Sequence, residues 1–156
     1  MTTTAVTATF LVHAVDPSEA DRLRAAGGLV RVADSSPGWP CRQCLRDAEV
    51  GEELLLVSYD PFDRASASPY RTPSPIFLHR APCPPAAPTA ELPVQLTSRR
   101  LSLRAFDDAA LMTDGRVVDG AELADALGEV LADPAVATVH VHNAGPGCYA
   151  ARVTRR

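Results

Sequence analysis

Three cysteines and one histidine have the types and spacing of metal ligands. Cys41 and Cys44 are separated by two residues, and His79 and Cys83 follow downstream with three residues between them. Thiolates at Cys-X-X-Cys spacing bind one tetrahedral zinc ion at Zn–S distances of ~2.3 Å, and a second close pair of ligands completes the shell. The spacing therefore predicts a closed, structural Cys₃His zinc site made of Cys41, Cys44, His79 and Cys83.

The Cys-X-X-Cys pair is also typical of redox enzymes. In this second hypothesis Cys44 or Cys41 is the catalytic nucleophile, and the other thiol resolves it. A short helix beginning at residues 45–50 would lower the thiol pKa, and Arg42 and Arg46 would stabilise the thiolate. In a third interpretation the cysteines are small buried side chains without chemistry, because free cysteine is among the most buried residue types. The spacing leaves all three open.

A second set of candidate metal ligands lies near the C-terminus. His140 and His142 alternate along a predicted strand, so their imidazoles share one face, and Cys148 follows across a predicted turn. A His₂Cys site with an open position would suit catalysis, and it makes a small metalloenzyme the competing functional class. The pattern favours a plainer structure, in which the two histidines form the polar face of an edge hairpin.

The charge balance and the lack of lysine exclude several functions. The chain has 15 basic and 19 acidic residues, a net charge of −4, and every basic residue is arginine. Schiff-base catalysis, a pyridoxal phosphate anchor and a Walker A phosphate loop all need a lysine amine. No basic stripe is present to neutralise phosphates, so we expect no nucleic-acid partner. The sequence identifies no other partner and leaves a homodimer open.

Hydropathy argues against a membrane location. No apolar run approaches the ~18–20 residues that span a bilayer. Residues 1–15 lack the basic start and the small-residue cleavage site of a secretory signal. We therefore expect no membrane partner and a cytoplasmic protein, in which the four cysteines are reduced or bound to metal.

Periodicity and turn signals predict the elements that must position these residues. Asp16 and Pro17 begin a first helix that Gly27 ends, and Asp119 begins a second helix. The Asp-Gly pair within residues 113–116 predicts a hairpin turn. Apolar runs and alternation predict strands at 7–15, 29–32, 53–59, 76–79, 101–106, 136–143 and 148–154.

Strands joined by hairpins, with only two clear helices among them, predict an α+β fold. We expect a single domain over residues 1–156, with a mostly antiparallel sheet and two helices packed on it. A chain of 156 residues can bury on the order of two-thirds of the surface that it exposes when unfolded. It therefore does not need a metal merely to fold.

Longer strings extend the pattern beyond the cysteines and histidines. They are Trp39-Pro-Cys-Arg-Gln-Cys-Leu45, Gly51-Glu-Glu-Leu-Leu-Leu-Val-Ser-Tyr59-Asp-Pro-Phe62, Ser68-Pro-Tyr70, Pro75-Ile-Phe-Leu-His79, Cys83, Arg104-Ala-Phe106, His140-Val-His-Asn143 and Gly147-Cys148-Tyr149. Taken together they resemble a bacterial family known as domain of unknown function 1203, and the resemblance covers nearly the whole chain.

The resemblance implies that the cysteine and histidine positions belong to a shared pattern. That family has no established activity, so the resemblance does not choose between the structural zinc site, the thiol enzyme and the catalytic metal. The chain departs from the family at Arg71-Thr72-Pro73-Ser74, where the family has an acidic residue and a glycine. The resemblance therefore does not imply that residues 71–74 line a binding pocket in this chain.

Overall fold

Eight strands are present in the computed structural model, which describes residues 9–156. The strands are β1 (Phe10–His13), β2 (Leu29–Val32), β3 (Glu53–Tyr59), β4 (Ser74–His79), β5 (Arg100–Phe106), β6 (Met112–Asp119), β7 (Thr138–Asn143) and β8 (Tyr149–Arg155). The helices are α1 (Pro17–Ala26), α2 (Val94–Thr97) and α3 (Leu123–Leu131), and a 3₁₀ turn at Gly120–Glu122 precedes α3.

The predicted α+β fold and antiparallel pairing are confirmed, and the strands form two sheets. One sheet has five strands in the order β1-β8-β7-β5-β6, and the other has three in the order β2-β3-β4. Every pairing between these strands is antiparallel. Residues 7 and 8, which the alternation assigned to the first strand, lie outside the described residues.

Helix α1 begins and ends where its sequence signals predict. The Asp16 carboxylate accepts a hydrogen bond of 2.9 Å from the Ser18 backbone N–H, and Gly27 ends the helix at φ 85°. Glu19 does not complete a capping box, because its carboxylate binds the Arg22 guanidinium. Ala20 and Leu23 are buried against the three-stranded sheet.

The core of the five-stranded sheet lies under α3. The buried face of this helix consists of Leu123, Ala126, Leu127, Val130 and Leu131, at the spacing of an amphipathic helix. It packs on the alternate residues of the central strands, among them Leu103, Val139 and Val153. The opposite alternate residues, which include His140 and Arg104, therefore point to the other face of this sheet.

The Asp-Gly hairpin turn predicted at residues 113–116 is wrong. Asp114 and Gly115 lie inside β6, where they pair with Ala105 and Arg104 of β5. The chain turns earlier, because the Asp107 carboxylate accepts hydrogen bonds from the backbone N–H groups of Ala109 and Leu111. Such an Asx turn supplies the reversal that the Asp-Gly pair would have made.

The proline-rich segment of residues 82–93, which lies between β4 and α2, connects the two sheets. Thr89 exchanges two backbone hydrogen bonds with Val12 of β1, at 2.7 and 3.1 Å. The backbone N–H of Tyr149 at the start of β8 donates to the Ser74 hydroxyl at the start of β4, at 2.8 Å. The region between the sheets is therefore held by direct polar contacts. None of the helices within residues 9–156 has the length and apolar character needed to cross a membrane.

At Gly120 the chain packs directly against the backbone of residues 96–99, and a mutation can test this contact. A Cβ atom on Gly120 would lie 2.6 Å from the carbonyl oxygen of Arg99 and still closer to those of Leu96 and Thr97. We expect Gly120→Ala to lower the free energy of unfolding by about 2 kcal/mol, since the backbone must shift.

Gly128 is the matched control, because a Cβ at this exposed position of α3 meets nothing within 4 Å. Gly128→Ala is expected to raise the free energy of unfolding by about 0.5–1 kcal/mol through helix propensity. Urea denaturation measures both values. Shifts of the same sign in the two variants would contradict this packing.

Candidate metal centre

The loop of residues 41–46 presents the Cys-X-X-Cys thiols. The backbone N–H of Leu45 donates to the Cys41 carbonyl, and the backbone N–H of Cys41 donates to the Arg46 carbonyl, both at 3.1 Å. Arg42 N–H donates to the Phe77 carbonyl of β4 at 3.0 Å, so the loop lies beside that strand. Tight internal bonding and a β4 contact therefore fix where the two thiols point.

The second pair of ligands comes from the end of β4 and from the segment after it. His79 is the last residue of β4 and pairs with Leu54 of β3. Cys83 follows on the proline-rich segment, which is tied to the loop by a hydrogen bond of 2.9 Å from Ala86 N–H to the Gln43 carbonyl. The four residues predicted from spacing, Cys41, Cys44, His79 and Cys83, thus come together.

The four ligand atoms lie close together, and two of the distances between them equal the edges of a tetrahedral site. All four lie within 4.8 Å of one another. The sulfurs of Cys41 and Cys83 are 3.8 Å apart, and Cys44 Sγ is 3.6 Å from His79 Nδ1. A tetrahedral ion with Zn–S of ~2.3 Å and Zn–N of ~2.0 Å requires an S–S edge of about 3.8 Å and an S–N edge of about 3.5 Å. These two edges therefore match zinc without rearrangement.

Hydrogen bonds give the three thiols unequal proton affinities. The neighbouring Cys44 side chain and several backbone N–H groups hold the pKa of Cys41 well below its ordinary value, although burial opposes the shift. One of those groups is His79 N–H, at 3.4 Å. The same interaction between the two side chains, together with burial, raises the pKa of Cys44. Burial and the Cys41 charge raise the pKa of Cys83. Metal binding here therefore releases protons.

Outer contacts orient the ligands. His79 Nε2 lies 3.5 Å from a Glu52 carboxylate oxygen, on the opposite side of the ring from Nδ1. Arg24 Nε donates to the His79 carbonyl at 2.8 Å, and its Nη2 lies 3.7 Å from Cys83 Sγ. A carboxylate on the far nitrogen of a ligating histidine fixes the tautomer and the ring orientation. Contacts with Glu52 and Arg24 therefore orient His79 and Cys83, as metal ligands require.

The helix expected at residues 45–50 is wrong. These residues form turns and bends, and Leu45 has a φ of 56°. No helix N-terminus therefore lowers the pKa of the Cys-X-X-Cys thiols. The Cys41 side chain is fully buried and Cys44 is 7% exposed, whereas His79 and Cys83 border a groove of about 910 Å³ that opens beside the cluster.

His140 and His142 do not lie on an edge hairpin. Their strand, β7, lies between β8 and β5, and both side chains are buried. β7 and β8 do form the expected hairpin, but its predicted edge position is wrong, because that position depends on pairings that the local pattern does not encode. His142 Nδ1 donates to the Gly147 carbonyl at 2.9 Å. Within residues 9–156, the side chains grouped as metal ligands are those of the Cys₃His cluster, and His140, His142 and Cys148 are not among them.

Arg42 is the residue whose position sequence reasoning missed. Expected beside the Cys-X-X-Cys thiolate, its side chain instead reaches β8 and is 1% exposed. Nε donates to the Tyr149 carbonyl at 2.9 Å, and Nη2 lies 3.3 Å from Cys148 Sγ. Burial lowers the pKa of Arg42. An arginine between two cysteines carries no local signal for burial, since arginine is almost never fully buried unless paired.

The fold and the cluster define an α+β protein with a Cys₃His group of metal-ligating geometry. The profile of the family described as Protein of unknown function (DUF1203) matches residues 38–155, so the chain belongs to this family. The match includes all four residues of the cluster. Comparisons with curated proteins and with solved structures gave no match.

The buried histidines predict a pH dependence of stability. Burial, with the nearby charges of His142, Arg152 and Arg104, lowers the pKa of His140 from 6.5 to about 4. The unfolded chain therefore binds this proton more tightly, and folding stability falls as pH decreases from 6.5 towards 4. We expect His140→Leu to flatten this part of the profile by on the order of 2 kcal/mol.

Urea denaturation at several pH values measures the difference between the two proteins. Both proteins keep the Cys₃His cluster unchanged, so the difference between their profiles reports on His140 and its interaction with His142. Parallel profiles for the wild type and His140→Leu would show that this imidazole is not buried in neutral form.

Proposed function

We propose that the protein is an accessory or binding module in which Cys41, Cys44, His79 and Cys83 hold one structural zinc ion. The observation that carries this proposal is the convergence of four ligand atoms within 4.8 Å of one another, with two edges of 3.8 and 3.6 Å that suit a tetrahedral ion. Soft thiolates with one imidazole favour zinc over the hard cations that oxygen ligands select. A reducing compartment such as the cytoplasm keeps these thiols available for metal.

The number and burial of the ligands support a structural role for the ion. Catalytic zinc sites use three protein ligands and keep one position for water or substrate, whereas structural sites use four. This cluster supplies four, and Cys41 and Cys44 are closed off from solvent. A fully ligated ion leaves no position at which a substrate would bind.

The place of the cluster in the fold supports a stabilising function. Its ligands come from the 41–46 loop, from the end of β4 and from the proline-rich segment that binds β1 through Thr89. One ion would therefore join three segments that meet where the two sheets approach each other. The two hydrophobic cores are already large, so the ion adds to stability rather than creating the fold.

Metal content tests the proposal directly. We expect protein purified under reducing conditions to carry one zinc per chain, measured by elemental analysis. Cys44→Ser and Cys83→Ser are expected to lose the ion, because a hydroxyl is a poor zinc ligand at neutral pH. Cys148→Ser is the matched control, since this fourth cysteine faces Arg42 and lies outside the cluster.

The stability of the folded chain gives a second measurement. Chelation is expected to lower the melting temperature of the wild type and of Cys148→Ser, and to leave that of Cys83→Ser unchanged. Substoichiometric zinc in the reduced wild type, or full retention by Cys44→Ser, would overturn the proposal.

Thiol alkylation separates this function from a thiol enzyme. At mildly acidic pH a zinc-loaded cluster is expected to resist iodoacetamide, because its thiolates are coordinated and two of them are buried. Mass spectrometry of the digested protein locates the modified cysteines. Rapid and selective alkylation of Cys44 or Cys41 in the zinc-loaded protein would instead favour an activated nucleophile.

A further inference from the structure

A second site lies on the face of the five-stranded sheet that α3 does not cover. His140 of β7 is paired with Arg104 of β5 on one side and with Arg152 of β8 on the other. His142 lies two residues further along the same face. The segment after β3 covers part of this face, where the Phe62 ring lies 5.1 Å from the His140 ring and 5.2 Å from the Phe106 ring.

The covering segment encloses a small cavity with mostly apolar walls. Its volume is about 230 Å³, below the ~300 Å³ at which drug-sized ligands begin to fit. The apolar walls are formed by Pro61, Phe62, Tyr70, Phe106 and Met112. Three flat aromatic rings line so small a space that a flat molecule fits it best.

Arg104 gives the cavity a positive charge without a counter-charge. The lining includes Arg104 but no aspartate or glutamate. Within residues 9–156, no carboxylate forms a salt bridge with Arg104. A guanidinium is a planar donor that matches a carboxylate with two parallel hydrogen bonds. The cavity is therefore complementary to a monoanion with a flat apolar body.

The two imidazoles add hydrogen-bonding groups to the same wall. Because a carbonyl oxygen only accepts, the bond to Gly147 places the His142 proton on Nδ1, and Nε2 then carries a lone pair. His140 is 3% exposed, and its Nδ1 has no hydrogen-bond partner. A buried polar atom without a partner is costly, and a ligand that supplies one recovers part of that cost.

We propose that this cavity is a binding site for a small aromatic carboxylic acid that carries a hydroxyl or amine group. The carboxylate binds Arg104, the ring packs between Phe62, Tyr70 and Phe106, and the hydroxyl or amine binds the imidazole wall at His142 Nε2 or at the unpartnered His140 Nδ1. This site is separate in chemistry and in residues from the Cys₃His cluster, so it stands whether or not zinc is bound there.

A probe of matched chemistry tests the site. We expect 4-hydroxybenzoate to bind the zinc-loaded protein saturably and to shift the side-chain ¹⁵N resonances of His140 and His142 in NMR spectra. The amide analogue, 4-hydroxybenzamide, lacks the negative charge and is expected to bind about tenfold more weakly or not at all. Benzoate lacks the hydroxyl and is expected to leave the His142 Nε2 resonance less perturbed.

Variants assign the binding to the cavity. Arg104→Gln is expected to weaken 4-hydroxybenzoate binding about tenfold, because the charged hydrogen bonds are lost. Arg31→Gln is the matched control, since Arg31 lies on the exposed strand β2. Tyr70→Ala removes a wall at a position that is 43% exposed, so it provides a second test if Arg104→Gln fails to fold.

The outcomes decide the proposal. Saturable binding that shifts both imidazoles and is weakened by Arg104→Gln but not by Arg31→Gln supports it. The proposal is overturned by absence of saturable binding, by equal binding of the amide, or by shifts confined to residues outside the cavity. Perturbation of His140 and His142 by added zinc, with none by the acid, would overturn it in favour of a metal site.

Discussion

The position of the 41–46 loop between the two sheets is the constraint on which the candidate metal centre depends. Its backbone binds β4 through Phe77, and the Arg42 side chain binds β8 through the Tyr149 carbonyl. Desolvating a guanidinium is costly, and here carbonyl and sulfur acceptors compensate it. With the loop held from both sides, the thiols of Cys41 and Cys44 face His79 with little freedom, as a preorganised site requires.

Features encoded by neighbouring residues could be predicted from the sequence. The start and end of α1, the buried stripe of α3 and the antiparallel α+β arrangement follow from capping residues, helical periodicity and short connections. The Cys₃His cluster could also be predicted from the sequence, although Cys83 lies 42 residues from Cys41. Ligand spacing carries information about distant contacts because an ion accepts few geometries.

Features that depend on distant pairings could not be predicted. The division into two sheets and the central position of β7 arise from which strands pair, and the periodicity of each strand is the same in either arrangement. The Asp114-Gly115 pair favours a turn locally. The chain nevertheless turns earlier, at Asp107, so these two residues lie within β6. The burial of Arg42 depends on the Tyr149 carbonyl, which lies 107 residues away on β8.

Tyr149 links the two sites of the molecule. Its carbonyl accepts from Arg42 of the Cys-X-X-Cys loop, and its ring lies 5.7 Å from the rings of both His140 and His142. The backbone N–H of the same residue donates to Ser74. An ion bound at the cluster would therefore act, through the Arg42 contact, on the residue that packs against the two imidazoles. The Cys₃His cluster and the cavity above the sheet differ in chemistry, but the positions of both depend on contacts with Tyr149.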